Sequence, residues 1–568
     1  MTFRRCVIVG GGPAGFALAV NLLRGGSGLD VEVYDAPAAG GVGIVLDSEF
    51  VEALAVRDPI SAEQIRSVAQ IWDTVRLQVG DHELITGGHV ILGIERQRLL
   101  DVLRGRACNL GAKVHTRPWD PSMRLGREDL LVGADGAGSR VRQAREAEHA
   151  TTLSDGLTQY LWMRTDAALT PGFWFRRTPH GAFVAHVYPY GPKHSAVVVE
   201  ATSRTLRAAG LNRLDRRVAE TQLTALFADQ LHGVRLQCST FPWRSFRTVA
   251  NRRWHTGRQV LIGDAAHTTH FSVGSGTRLA IEDADALAES LDDTPSVAAL
   301  KRYESVRRPA IEAMQTDADS SRQWFEDIDR HIRLPAHQLA FALRTRRDVN
   351  TWRWLRRRDP AFTAKVLASV RTDPRAAPAP RPDHDAPRLQ PLRIGHLTMP
   401  TRLAVIRPDG PHPPGTTPAG LVLYSSRATT SGAGPLPIGH IVPPTEAEPS
   451  STPCVLLTGS WPVLRQRLAN RSPQAGQAVG VMIDCVGWRS EDAVLVRATA
   501  DFVVVPMGHH GQRVERTALA ERIRNVHAMT VLLWATDLSE DDADTLIGAG
   551  RIDGYLLHSP NWEGVNHA

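Results

Sequence analysis

Two periodicities organise residues 1 to about 320: apolar runs of strand length alternate with stretches in which apolar residues recur every three or four positions. The run "CVIV" leads through glycines into "PAGFALAVNLL", which has the spacing of a helix packed on one face, and "VEVYD" returns to strand. Two more runs, "DLLVGADG" and "RQVLIGD", also read as strands entering glycine–aspartate turns. Strands alternating with helices predict an α/β domain around a largely parallel sheet. In "GAFVAHVYPY" the period shortens to two, which predicts a half-buried strand with Val184, His186, Tyr188 and Tyr190 on one face.

Beyond residue 320 the pattern changes. Residues 321–372 read as helical, broken at Pro335 and Pro360. The stretch "DPRAAPAPRPDHDAP", Asp373 to Pro387, holds five prolines in fifteen residues and reads as a stiff, extended linker over 373–391. The 177 residues from 392 to 568 carry short apolar runs such as "AGLVLYSS", "AVGVMID", "DFVVVPM" and "MTVLLWA". A chain of 568 residues is too long for one ordinary core. The expected division is therefore 1–320, 321–372, the linker, and 392–568, with a substrate-facing sheet within about 151–250.

Composition narrows the function classes. The calculated pI of 9.3 suggests an anionic partner, but only four of the 66 basic residues are lysines, and the arginines are dispersed without a recognition motif. No nucleic-acid partner is expected. Five scattered cysteines, never in a CxxC pair, argue against a disulfide framework and a zinc site. No targeting segment or run of 18 apolar residues is found, so the expectation is a cytoplasmic protein without a membrane span. His267 and His270 form an HxxH without the glutamate of HExxH or a nearby third ligand, and no metal is expected.

Gly10-x-Gly12-x-x-Gly15 lies between the first strand and helix, where the glycines permit a tight turn, close approach of backbone to a pyrophosphate, and helix–strand packing. Asp35 ends the next strand twenty residues past Gly15, where a ribose-binding carboxylate belongs. This motif alone leaves NAD and FAD both open.

An early glycine motif, the middle Asp135-Gly136 and the late Gly263-Asp264 occur in the order seen in single-component flavin-dependent aromatic hydroxylases, which residues 1 to about 330 resemble. The resemblance implies a Rossmann-like FAD-binding domain with an inserted substrate-binding sheet. It places Gly10, Gly12, Gly15 and Asp35 on the adenosine half of FAD, Arg96 against the cofactor, and Asp135 and Gly136 in the pyrophosphate and NAD(P)H-associated segment. Asp264 would bond the ribityl chain. Gly274, Ser275 and Gly276 would aim helix N-terminal amides at the flavin ring, where reduction places negative charge.

"GVGIVLDSEF", "GGHVILGIERQRLL", "AHVYPY", "AAGLNRLD" and "GDAAHTTHFSVGSGTRLAIEDA" resemble the salicylyl-CoA 5-hydroxylase and 2-aminobenzoyl-CoA monooxygenase/reductase group. Phe271-Ser272-Val273, where most flavin hydroxylases have a proline, is typical of that group, whereas Val42 departs from its usual tryptophan. The implied reaction is NAD(P)H- and O2-dependent hydroxylation, through a flavin C4a-hydroperoxide, of an amino- or hydroxybenzoyl thioester on CoA or an acyl carrier protein. His186 and Tyr188 could then orient the ring substituent or remove its proton, and a half-buried strand with two satisfied polar side chains is the alternative. Hydroxylation of the free aryl acid and a flavin-dependent reductase or dehydrogenase remain alternatives; "WRWLRR" at 352 lacks the halogenase motif.

"PLRIGHLTMPTRLAVIRP" resembles the entry strand of an old-yellow-enzyme-like reductase, but 177 residues are short for a (β/α)8 barrel. His558-Ser559 stands where that family has a phosphate-binding Gly-Arg. The region is therefore read as a reduced TIM-barrel-like α/β domain without FMN, retained for dimerisation, for support of the first domain or for docking a carrier protein.

Overall fold

The computed structural model describes residues 2–36, 42–88, 90–292, 295–347, 349–372, 386–387, 390, 392–394, 397–399, 402–407, 421–424, 438–440, 454–457, 478–482, 493–506, 513–527, 529–535 and 538–558. The linker expected at 373–391 lies almost wholly outside the described residues. The chain divides into two compact units, Met1–Asp329 and Arg330–Ala568.

In the first unit a six-stranded sheet runs in the order His255–Thr256, Gln259–Leu261, Asp129–Gly133, Arg5–Val9, Asp30–Tyr34, Lys113–His115. All neighbours are parallel except the first pair, which forms a hairpin. Asp129–Gly133 and Gln259–Leu261 are buried at every position. Strands covered on both faces need continuous apolar runs, which is why these read as unbroken stretches. Helix Pro13–Gly25 buries Phe16, Leu18 and Leu22 in the same core as Leu279, Ile281 and Leu287 of helix Gly276–Asp292. A small sheet of Gly43–Asp47, Ile91–Glu95 and Gln70–Trp72 adds to this unit.

The second, eight-stranded sheet includes the long strands Thr151–Thr165, Gly181–Gly191 and His194–Thr202, with Gly172–Thr178 and Arg244–Asn251. Val75–Val79 and His82–Thr86 extend it from outside the expected 151–250 window: Val75–Val79 joins parallel to Gly172–Thr178, a long-range pairing that local periodicity does not encode. Phe183, Ala185 and Val187 share an apolar core with Leu206, Leu223 and Phe227 of the helices that follow the sheet. The alternate residues, His186 and Tyr188 among them, point to the opposite face.

In the second unit eight strands form a closed ring: Leu403–Arg407, Leu421–Tyr424, Ile438–His440, Cys454–Leu457, Ala478–Met482, Phe502–Pro506, Thr530–Ala535 and Gly554–His558. Ile438–His440 is antiparallel to both neighbours and every other adjacent pair is parallel. The helices of 336–371 belong to this unit; Trp352 N–H donates to Thr545 Oγ1 at 2.7 Å, and Val370 shares a core with Val503 and Val531. Among the described residues no helix is long and apolar enough to cross a membrane.

Candidate functional site

The glycine turn is held by contacts that leave no room for a side chain. A Cβ on Gly10, whose φ is 112°, would lie 2.3 Å from the Ala134 carbonyl oxygen, and one on Gly15 would lie 1.9 Å from the Gly10 oxygen. Gly11, which the motif leaves as any residue, is equally constrained: its Cβ would fall 2.2 Å from Asp35 Cγ. The Asp35 carboxylate accepts the Gly11 N–H, and partial burial raises it above the usual carboxylate range against the pull of Arg104. Gly12, which caps the helix, differs, because its Cβ would meet only the Ala134 oxygen at 4.0 Å. Cβ atoms on Gly136 and Gly276 would meet no protein atom within 4 Å.

The late turn is built from behind. Asp283 is fully buried, and its carboxylate accepts from Gly263 N–H at 3.0 Å, His267 Nε2 at 2.7 Å and Arg307 Nε at 2.9 Å. Burial alone would raise this carboxyl, but His267, Arg307 and the Gly263 amide hold it below the ordinary range. Arg142 Nη1 donates to the Ala265 carbonyl at 3.0 Å and Asn251 Nδ2 to the Ala266 carbonyl at 2.6 Å, which ties the middle and late segments together. Asp264 alone in the run Val260–His270 is exposed. The surrounding protein raises its carboxyl above the usual range, opposed by His267 and Arg96.

Asp135 has a more local duty: its Oδ2 accepts the N–H groups of Arg140 and Val141 at 2.7 and 3.3 Å, shaping the turn that leaves Gly136 open. Gly274 adopts a φ of 66°, with its Cβ position 3.0 Å from Val45, and Ser275 Oγ bonds Thr269 Oγ1 at 3.1 Å. Gly276 then opens the helix Gly276–Asp292.

Phe271 leads from this turn into an aromatic chamber on the second sheet. Its ring centroid lies 4.8 Å from Tyr160, 6.0 Å from Trp162 and 5.4 Å from His186. Phe173 and Phe325 flank His186 at 5.0 and 4.8 Å. Tyr188 donates its hydroxyl to the Gly43 carbonyl at 2.7 Å, and burial pushes its phenol pKa up. The two histidines of the HxxH separate: His267 pairs with Asp283, while His270 Nδ1 bonds Ser272 Oγ at 2.8 Å on the chamber side. Among the described residues no group of three metal-ligating side chains occurs.

Asn251 and Glu200, which lies beside His186, belong to no motif in the sequence, and Arg142, which follows Asp135-Gly136 in the middle segment, and Asp283, within the late segment, carried no role there. Glu200, a lone acid in the apolar strand "SAVVVEAT", had a signal in the rule that buried carboxylates are paired.

A parallel sheet whose first turn is a glycine cradle at a helix N-terminus, beside a second sheet bearing a cluster of aromatic side chains, has the arrangement of a dinucleotide-binding enzyme. A family model described as an FAD binding domain matches residues 124–318. Salicyloyl-CoA 5-hydroxylase of Streptomyces sp is 30% identical over 566 residues, 96% of this chain and 98% of that protein. The 3-hydroxy-4-methyl-anthranilyl-(aryl-carrier protein) 5-monooxygenase of Streptosporangium sibiricum is 37% identical over 354 residues, 61% of this chain and 96% of that protein. Protodeoxyviolaceinate monooxygenase of Chromobacterium violaceum is 28% identical over 358 residues, 60% of this chain and 94% of that protein. The chain belongs to the FAD-dependent aromatic monooxygenases, the family of single-component flavin hydroxylases.

Proposed function

We propose that this enzyme hydroxylates an amino- or hydroxy-substituted benzoyl group carried as a thioester on CoA or a carrier protein, using NAD(P)H and O2. The observation that carries the reading is that two relatives, matched over 98% and 96% of their own lengths, are named for aryl groups on CoA and on a carrier protein. The residues present suit FAD: open Cβ positions at Gly12, Gly136 and Gly276 leave room along the cradle, and Asp264 is the exposed residue of the late turn. Gly10, Gly12, Gly15 and Asp35 would hold the adenosine half, Asp135 and Gly136 the pyrophosphate region, and Arg96, Gly263, Asp264 and Gly274 to Gly276 the ribityl chain and ring. Bound FAD supplies electron transfer from NAD(P)H to O2 and delivery of one oxygen atom to the substrate. The chain's own part is to seat the ring among Phe271, Tyr160 and Phe173, exclude water, and manage the proton of the ring substituent through His186. Tyr188, whose hydroxyl is spent on Gly43, supports the chamber wall.

The second unit reads as a reduced relic of a reductase barrel without FMN; its short strands and reversed Ile438–His440 pairing support this. His558-Ser559 does not bear on it, because Ser559 and the His558 side chain lie outside the described residues. Dimerisation, support of the first unit or carrier docking are roles left to it.

One experiment tests both readings. The FAD-loaded full chain is given NADH or NADPH under air with salicyl and anthraniloyl groups as free acids, CoA thioesters and carrier-protein thioesters, and product masses are recorded. A thioester product heavier by one oxygen is expected, with FAD as the flavin released from the protein. Oxygen gained only by free acids overturns the thioester assignment, oxygen gained by none overturns hydroxylation of this class, and released FMN overturns the relic reading.

A further inference from the structure

His186 and Glu200 form a buried pair on the chamber face, 7% and 2% exposed, with Nε2 3.1 Å from Oε2. They stand on neighbouring antiparallel strands, Gly181–Gly191 and His194–Thr202, with even residues of both directed to the chamber. The other carboxylate oxygen, Oε1, accepts the Thr158 hydroxyl at 2.7 Å and lies 3.9 Å from His270 Nε2. Despite burial, which acts to raise it, the Glu200 carboxyl is held below the ordinary range by His186, His270 and Thr158. A carboxylate only accepts hydrogen bonds, so the His186 nitrogen facing it must carry the proton. That leaves the neutral ring with Nδ1 bare, and Nδ1 has no hydrogen-bond partner among the described residues. The His186 ring itself stands among Phe173, Phe271 and Phe325, with centroids 5.0, 5.4 and 4.8 Å away.

We infer that Glu200 is a positioning residue that fixes the tautomer of His186, so that Nδ1 is the base receiving the proton of the substrate's ring hydroxyl or amino group. This rests on the hydroxylase reading above. From a hydroxyl substituent the O–H proton passes to Nδ1, and the electron pair left behind strengthens donation into the ring carbon that accepts oxygen; an amino substituent donates its own lone pair, and its N–H proton passes to Nδ1 as the nitrogen becomes cationic. The imidazolium so formed is stabilised by the Glu200 carboxylate, as a carboxylate stabilises the histidine of a hydrolase triad. When the ring carbon sheds its own proton to water and aromaticity returns, Nδ1 gives its proton back to the substituent.

Two measurements on the FAD-loaded full chain test this. Histidine-selective ¹⁵N NMR, with the His186 ring assigned by its loss in His186→Gln, reports the tautomer without any substrate. A neutral ring protonated on Nε2 is expected. A neutral ring protonated on Nδ1, or one protonated on both nitrogens at the pH of best activity, overturns the proposal. In turnover, Glu200→Gln should form about a hundredfold less hydroxylated product per NAD(P)H consumed, the low end of what a general base contributes. Ring fluorination, which makes the substituent more acidic, should shrink that deficit, and Glu200→Asp should restore part of it. Full activity in Glu200→Gln, or a deficit of equal size for plain and fluorinated substrates, would show a structural role only and overturn the proposal. Absence of product from the wild type with the whole thioester panel is a failure of the hydroxylase reading, and the dyad then stands or falls on the tautomer.

Discussion

Gly12→Ala yields a protein that folds like the parent and purifies without flavin, whereas Gly15→Ala loses flavin and fold together. The two glycines share one motif but meet different surroundings. A methyl on Gly15 lands 1.9 Å from a backbone oxygen that cannot move without displacing the first strand, so helix and sheet must part. A methyl on Gly12 approaches protein no closer than 4.0 Å and projects into the cradle where the pyrophosphate is expected. Unfolding of cofactor-free Gly12→Ala should match cofactor-free wild type within about 0.5 kcal/mol, the range of a substitution free of packing conflict. Its FAD affinity, read by flavin fluorescence titration, should fall about a hundredfold or more, equivalent to roughly 2.7 kcal/mol. Normal FAD content in Gly12→Ala would remove the turn from the cofactor site.

The second large effect is expected at Asp283. Asp283→Ala strips a buried carboxylate from His267, Arg307 and the Gly263 amide at once, leaving the Arg307 guanidinium with only Glu282, at 3.2 Å, as counter-charge. Breaking such a pair from one side costs about 3–5 kcal/mol, measured as a shift in urea unfolding followed by a probe in the first unit. The pH dependence has a definite sign. The folded-state carboxyl is depressed, so its contribution is fully present above the ordinary aspartate range and is lost as pH falls through the depressed value. The stability gap between wild type and variant should therefore narrow only in acid; a gap constant down to the lowest accessible pH would contradict the assigned network. The turn carrying Asp264 hangs from the same carboxylate, so weaker FAD binding should accompany the loss of stability.

The sequence was most legible where chemistry is local. The Gly10–Gly15 motif, Asp35 at the end of the next strand and Gly274–Gly276 at the head of a helix all depend on spacing within one turn or one strand–helix unit, and spacing is what a sequence records. The alternation in "GAFVAHVYPY" likewise put His186 and Tyr188 on one face, because both lie in the regular part of the strand, before the register shifts between Pro189 and Gly191. Periodicity could not tell what that face would meet. Glu200 reaches His186 only through strand register, and Arg142, Asn251 and Asp283 reach the late turn from 123, 14 and 20 residues away. Val75–Val79 joins a sheet whose other strands mostly lie some eighty residues or more downstream. Apolar patterning determines which residues turn inward and so determines the class of protein. Which polar groups then find each other is decided by chain crossovers and register, because a buried charge takes whatever partner the assembled fold brings within reach.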